Sequence, residues 1–323
     1  MKNIAIIGAG LSGVSCARAL RGTHKVTIFD KSRGVAGRMS TRYVEAFEFD
    51  HGAQYFTSRD PKFRTLILEA VSRGEVAPWV GRTLYLKGGT YVPDTGGARF
   101  VGVPRMNSFV KHFAAGLGVQ LGVRITGLTP KGEHWVLSDE KGIEYGPFDE
   151  VVFALPAPQA LALLPDDFAH MSQVRAAKMD VCFALMLGFD KKLAIEWASL
   201  RLDHPIVNWM AVNSSKPGRG HGEALVIHTA PDWSNLHASR DREWVERSIL
   251  DAASDILGFD VKDNSQTGLH RWLYASSASS PNKTHFRDSE TGLSVCGDWC
   301  LGGRVENAFL SGTAVAEEIL SAY

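Results

Sequence analysis

The chain of 323 residues has no excess of charge, since 35 Lys and Arg balance 35 Asp and Glu. Without a basic field no nucleic-acid partner is expected, and without an acidic run no solvating tail. No apolar run approaches the roughly 18 residues of a spanning helix, so no membrane partner is expected either. The apolar start after Lys2 lacks the long core of an export signal and breaks at glycines. Cysteine is scarce. Cys16, Cys182, Cys296 and Cys300 are too few and too scattered for a disulfide framework, which favours a reducing, cytoplasmic setting with buried, inert thiols. Cys296 and Cys300 do not form a C-x-x-C pair and no histidine pair completes a site beside them, so no metal is expected. Internal repeats and low-complexity tracts are missing. No side chain stands out as acid, base or nucleophile.

What is present is an ordinary globular composition, 45% hydrophobic and 22% charged, in a chain long enough for two lobes. Ile4 to Ile7 run straight into Gly8-Ala9-Gly10-Leu11-Ser12-Gly13, a G-x-G-x-x-G turn leaving a predicted buried strand. In such a turn Gly8 permits the bend, Gly10 lets backbone approach a pyrophosphate, and Gly13 lets the next helix pack on the strand. Val14, Ala17 and Leu20 continue at helical spacing, and Val26 to Phe29 reads as a second strand ending in Asp30, placed to accept from a ribose diol. The loop from Lys31 to Thr41 then carries Lys31, Arg33, Gly37 and Arg38. Arg38 could neutralise a pyrophosphate from the side opposite the helix, whereas Lys31 and Arg33 face either phosphate or solvent. Such a loop favours an extended FAD over NAD.

Phe49 to Phe56 places Gly52-Ala53 between polar and aromatic side chains, so backbone can approach a planar ligand there and Gln54 and Tyr55 can contact it. His51 alone reads as a satisfied core histidine. From Asp60 the composition changes: a helix is expected over Pro61 to Val71, a hairpin at Thr83–Leu86 and Thr90–Val92, and a further helix after Pro104. Val119 to Ile125, His134 to Leu137 and Gly142 to Gly146 read as an antiparallel meander, and Glu150 to Ala154 as a buried strand ending at a proline turn. Strand-like Val181–Phe189 and Ala224–Thr229 follow, in a stretch rich in aromatics: Trp197, Trp209, Trp233, Trp244, Trp272 and Tyr274. Together these suggest an aromatic-walled pocket. Leu293 to Cys296 is a last strand, ending in Gly297-Asp298, where Asp298 could accept from a ribityl hydroxyl. Glu306 and Asn307 then open a helix whose free amides would favour a flavin's pyrimidine edge. Two nucleotide-facing helix starts at opposite ends of the chain point to one extended dinucleotide lying across the sheet. The fold expected is α/β with an α+β second lobe: a Rossmann-like FAD-binding domain of 1–59, 116–160 and 285–323, interleaved with a substrate domain of 60–115 and 161–284.

In Ile6–Gly10, Phe29–Gly34, Gly37–Ser40, Gly52–Phe56, Val226–Thr229, Arg271–Ala275 and Cys296–Cys300 the chain resembles the renalase family, especially its bacterial members, within the FAD-dependent amine-oxidase-like superfamily. The resemblance implies a p-hydroxybenzoate-hydroxylase-like fold with non-covalent FAD and an antiparallel-sheet substrate lobe. It also implies oxidation of the 2- and 6-dihydro isomers of NAD(P)H to NAD(P)+, with dioxygen reoxidising the flavin to hydrogen peroxide. By position, Ser12, Arg38, Gln54 and Tyr55 would contact FAD, with Gly297 and Asp298 at the ribityl chain. His228, Trp272, Tyr274 and Trp299 are the candidates for the pocket wall. One departure is Val35-Ala36-Gly37, where many relatives have paired glycines. Lack of an obvious acid or base suits hydride transfer, in which the cofactor does the difficult step and the protein positions the donor. The alternatives are a flavin amine oxidase or desaturase acting on a small amine, and a flavoprotein that only binds or senses.

Overall fold

The computed structural model describes residues 1–220 and 222–322. The four apolar residues before the glycine turn are buried on both sides, which is what a central strand of a parallel sheet requires. Asn3–Ile7 accordingly lies between Glu150–Phe153 and Lys25–Asp30, parallel to both, with Ile4 opposite Val26 and Glu150. The six-stranded sheet runs His285–Asp288, Leu293–Cys296, Glu150–Phe153, Asn3–Ile7, Lys25–Asp30, Val119–Leu121, and only the His285–Asp288 edge is antiparallel.

Alternate side chains of the central strands feed two cores. Ile4, Ile6 and Ile28 pack under helices Leu11–Leu20 and Val305–Ser321 with Cys16, Leu20, Val315 and Ile319. Ala5, Ile7 and Phe29 meet Leu137 and Phe148 of the antiparallel meander Ile125–Lys131, His134–Asp139, Glu144–Phe148. The two helices touch because Gly312 has no side chain: a Cβ there would sit 2.0 Å from the Ser12 carbonyl oxygen. Val119–Leu121 departs from expectation. It does not belong to the meander but extends the parallel sheet, because the Gly118 carbonyl accepts the Ile28 N–H at 2.8 Å and Val119 pairs with Ile28.

The second sheet has seven strands, in the order Gln266–Ser277, Met179–Phe189, Glu223–Thr229, Val207–Val212, Ser199–Leu202, Thr83–Lys87, Thr90–Pro93. One face is covered by helix Arg242–Leu257, whose Val245, Ile249 and Ala253 pack on Leu185, Leu187, Leu225 and Ile227. That helix is N-capped by Asp241 and ends at Gly258 with φ 72°. The other face packs on the two-stranded hairpin Thr41–Val44 and Phe47–Asp50, with Met186 and Val226 against Phe47 and Phe49. The expected helix at Pro61 runs Pro61–Ser72 and is capped by Asp60, and the next is Met106–Phe113.

The aromatics do not form one pocket wall. Trp197 and Trp233 pack into the core beneath helix Arg242–Leu257, and Trp244 of that helix stacks on Trp233. Strand alternation sends Trp209, Trp272 and Tyr274 to the opposite face. Among the described residues, no helix is long and apolar enough to cross a membrane, and no group of three or more His, Cys, Asp or Glu is placed to hold a metal ion.

Candidate active site

The glycine turn separates into two packing positions and one open position. At Gly8, φ is 111° and a Cβ would lie 2.3 Å from the Ala154 carbonyl oxygen; at Gly13 it would lie 2.0 Å from the Gly8 carbonyl oxygen. A Cβ on Gly10 would meet nothing within 4 Å. Helix Leu11–Leu20 begins there with no side-chain cap, leaving its first amides unanswered. Asp30 braces this turn, accepting from the Ala9 N–H and the Ser32 N–H, each at 2.7 Å, and each oxygen keeps a second lone pair for a ribose hydroxyl. The loop after Asp30 docks through the Ala36 N–H, which donates to the Ala9 carbonyl at 2.9 Å. Helix Val305–Ser321 also starts without a side-chain cap, at Arg304. An open glycine, two uncapped helix starts and an acid at the second strand's end fit an extended dinucleotide.

Several residues expected at the cofactor also brace the protein itself. Arg38 ion-pairs with Asp298 and donates to the Ala275 carbonyl at 3.1 Å, so the two residues assigned to pyrophosphate and ribityl are partners across the sheets. Ser12 turns its hydroxyl to Cys296 Sγ at 3.1 Å, leaving its backbone amide at the helix start. Glu306 accepts the Arg59 and Asp60 N–H groups at 2.6 and 2.7 Å and so holds the entry to helix Pro61–Ser72. Asn307 donates to the Leu301 carbonyl at 2.9 Å. Trp299 is fully buried against Phe286, its Nε1 donating to the Leu155 carbonyl at 3.0 Å, and is core rather than pocket wall. Gly297 passes against that indole, where a Cβ would lie 2.6 Å from Nε1. Gly37, at φ 52°, faces Gly10, and Lys31 is exposed.

Gln54 is committed to protein on both ends of its amide. Nε2 donates to the Asp50 and Gly52 carbonyls, and Oε1 accepts from Lys216 Nζ at 3.2 Å. Tyr55 lies 5.5 Å from Trp209, with the guanidinium of Arg99 over its ring at 4.4 Å. The Gly52-Ala53 pair packs where expected, but on the Arg38 backbone: a Cβ on Gly52 would fall 1.9 Å from the Arg38 carbonyl oxygen, and the Ala53 N–H donates to it at 2.9 Å.

Above this segment, three strands present a polar aromatic face. Ala184 stands in register between His228 and His270, and Trp209 pairs with His228 on the far side. The small Ala184 leaves the flanking rings room. The His51 carbonyl accepts from Trp272 Nε1 at 2.9 Å and from His228 Nε2 at 3.1 Å, while the His51 ring stacks on Trp272 at 4.9 Å. Because a carbonyl only accepts, His228 carries its hydrogen on Nε2 and leaves Nδ1 bare. Tyr274 continues the same face, half-buried. Burial keeps all three histidines neutral: His51 is pushed down to about 3, helped by the neighbouring His270 and Arg42, His228 to about 4, and His270 to about 4, helped by Arg42 and Arg242.

The surrounding charge is lopsided. Lys216 and Arg219 share Asp50, and Arg99 and Arg201 share Asp94. Burial would raise Asp50, but its two cations outweigh that and hold it near 2; burial lowers Lys216 to about 8 despite Asp50. The cysteines are unpaired, and burial lifts Cys182 and Cys296 to about 12.

The family described as "Flavin containing amine oxidoreductase" matches residues 81–320, and an NAD(P)-binding Rossmann-like domain matches 6–70. The chain belongs to the flavin containing amine oxidoreductase family. Within it the chain is similar to renalase of Mus musculus, at 24% identity over 303 residues that cover 87% of this chain and 86% of that one. Two solved structures share the fold along almost the whole length. Cyclohexylamine oxidase from Brevibacterium oxydans IH-35A gives a TM-score of 0.76 at 13% identity, with 99% of each chain covered. A putrescine oxidase gives 0.72 at 12% identity, also with 99% of each covered. This family member is therefore a renalase-like, FAD-dependent oxidoreductase acting on a small molecule, and the glycine cradle fits the cofactor's pyrophosphate.

Sequence reasoning missed Asp50, Lys216, Arg219 and Arg99. Lys216 and Arg219 sit in Asn213–Gly220, a Ser-, Pro- and Gly-rich stretch that reads as a solvent-facing loop, and nothing in it signals burial.

Proposed function

We propose that the protein oxidises the 2- and 6-dihydro isomers of NAD(P)H to NAD(P)+, with dioxygen accepting the two electrons to give hydrogen peroxide. Bound FAD supplies a two-electron acceptor at N5 and the route to dioxygen. The observation that carries the reading is the charge around the site: twice, two cations share a single carboxylate. A cationic amine would be repelled there, whereas a dinucleotide bearing phosphates would be drawn in. The neutral rings of His228, His270 and Trp272 supply flat surface for a dihydropyridine. With no ionised acid or base needed, the face positions the donor and excludes water while hydride leaves as one unit. The division into an FAD-binding lobe and a substrate lobe belongs to the same reading, as does a reducing, cytoplasmic setting suited to four free thiols.

The test is anaerobic reduction of the purified yellow holoprotein. Dihydro isomers should bleach the flavin, and readmitted air should restore the colour with one peroxide per substrate. Fast bleaching by small amines and not by the isomers would instead make it an amine oxidase. Bleaching by no donor would leave a binding flavoprotein.

A further inference from the structure

Two hydrogen-bonding groups on the substrate-facing sheet lack protein partners, and they are complementary. The Trp209 indole N–H is buried with no acceptor. Its cross-strand partner is His228, half-buried, whose Nε2 is taken by the His51 carbonyl and whose Nδ1 has no protein partner among the described residues. Neither ring can turn to relieve the mismatch: Trp209 is held against Tyr55 at 5.5 Å and under the Arg99 guanidinium at 5.4 Å, and His228 is held by its bond to His51. The buried indole N–H left unpaired costs free energy that a ligand can recover, and the free Nδ1 lone pair beside it is open to a donor.

We propose that Trp209 Nε1–H and His228 Nδ1 together receive a primary carboxamide of the substrate, the indole donating to its oxygen and the imidazole accepting from its NH2. A primary carboxamide carries an acceptor and a donor on neighbouring atoms and answers both groups. An ammonium has donors only and leaves the indole unpaired; a carboxylate has acceptors only and sets negative charge against the imidazole lone pair. The inference rests on the dihydro-NAD(P) reading, whose pyridine ring bears such a carboxamide, and makes His228 the residue that tells nicotinamide from nicotinate.

The experiment compares anaerobic flavin reduction by 6-dihydro-NAD and by its deamido analogue, in which a carboxylate replaces the carboxamide. Wild type should prefer the carboxamide by about tenfold or more in kcat/KM, as sites built around a substrate N–H do. In His228→Leu the preference should collapse toward unity. In Trp209→Phe both substrates should weaken together, because both offer an acceptor oxygen and the ratio is left standing. Flavin absorbance and melting temperature confirm that each variant is folded and loaded. If His228→Leu keeps the wild-type ratio, or wild type shows no preference, the carboxamide assignment is overturned while dihydropyridine oxidation stands. If neither dinucleotide reduces the flavin, the proposed function itself fails.

Discussion

Lys216 Nζ lies 3.2 Å from Asp50 Oδ2, and both side chains are wholly excluded from solvent. The same ammonium reaches Gln54 Oε1 at 3.2 Å, and Arg219 Nε approaches Asp50 Oδ2 at 3.1 Å. One cationic pair thus clamps the Asp50–Gln54 turn, whose His51 carbonyl holds the rings of Trp272 and His228. Lys216→Met should leave Gln54 Oε1 unanswered and Asp50 with one cation, and cost about 3 kcal/mol or more, as breaking a buried pair does. Urea unfolding of the holoprotein measures it. A loss near zero would mean that Arg219 alone satisfies Asp50.

The glycine turn gives a paired test. Gly10 has helix-entry backbone angles, φ −73° and ψ 175°, and open space in front of it, so Gly10→Ala should alter apoprotein stability by less than about 1 kcal/mol. It should weaken FAD retention by on the order of tenfold or more, because the methyl occupies the space where pyrophosphate approaches. Gly8→Ala should instead cost more than about 3 kcal/mol, since φ is 111° and the methyl would meet the Ala154 carbonyl. Equal stability losses in the two variants would contradict this division, and thermal melts with an FAD titration read both.

Ala36 adopts φ 102°, a conformation that suits glycine. Ala36→Gly should therefore raise stability by about 0.5–1 kcal/mol, relief of strain exceeding the entropy added to the unfolded chain. A lower melting temperature would show that the buried methyl contributes more by packing than it loses in strain.

Acid should weaken the fold well before its carboxylates titrate. His51 and His228 are held near 3 and 4 against an ordinary 6.5, so between pH 6.5 and 4 the unfolded chain takes up protons that the folded chain refuses. Stability is then full above about pH 6.5 and declines as pH falls, by up to ~1.4 kcal/mol per pH unit for each ring. Asp50, held near 2, adds a further loss below its ordinary 3.8. Urea midpoints at pH 7, 6 and 5 would follow the decline. A flat profile would mean that these rings protonate in the folded state.

The nucleotide half was legible because its information is local. Strand, glycine turn, helix and Asp30 are contiguous, and their spacing follows from covalent geometry and from burial on both faces of one strand. The same logic located Glu150–Phe153, Leu293–Cys296 and helix Val305–Ser321. It did not reach the side-chain partners that lie distant in sequence: Cys296 takes the Ser12 hydroxyl, Asp298 pairs with Arg38, and the entry to helix Pro61–Ser72 is held by Glu306.

The sequence alone carried the strand, the glycine turn, the helix and Asp30 that point to FAD, because those elements are contiguous and their spacing is local. The aromatic face of the second sheet was decided only in the tertiary structure. Trp209, His228 and His270 meet because strands are ordered Gln266–Ser277, Met179–Phe189, Glu223–Thr229, Val207–Val212, with Ala184 as spacer, and Lys216 is drawn inside because Asp50 waits there. Cross-strand register and the pairing of buried charges are set by the least costly way to satisfy every buried polar group at once, and no local pattern encodes that.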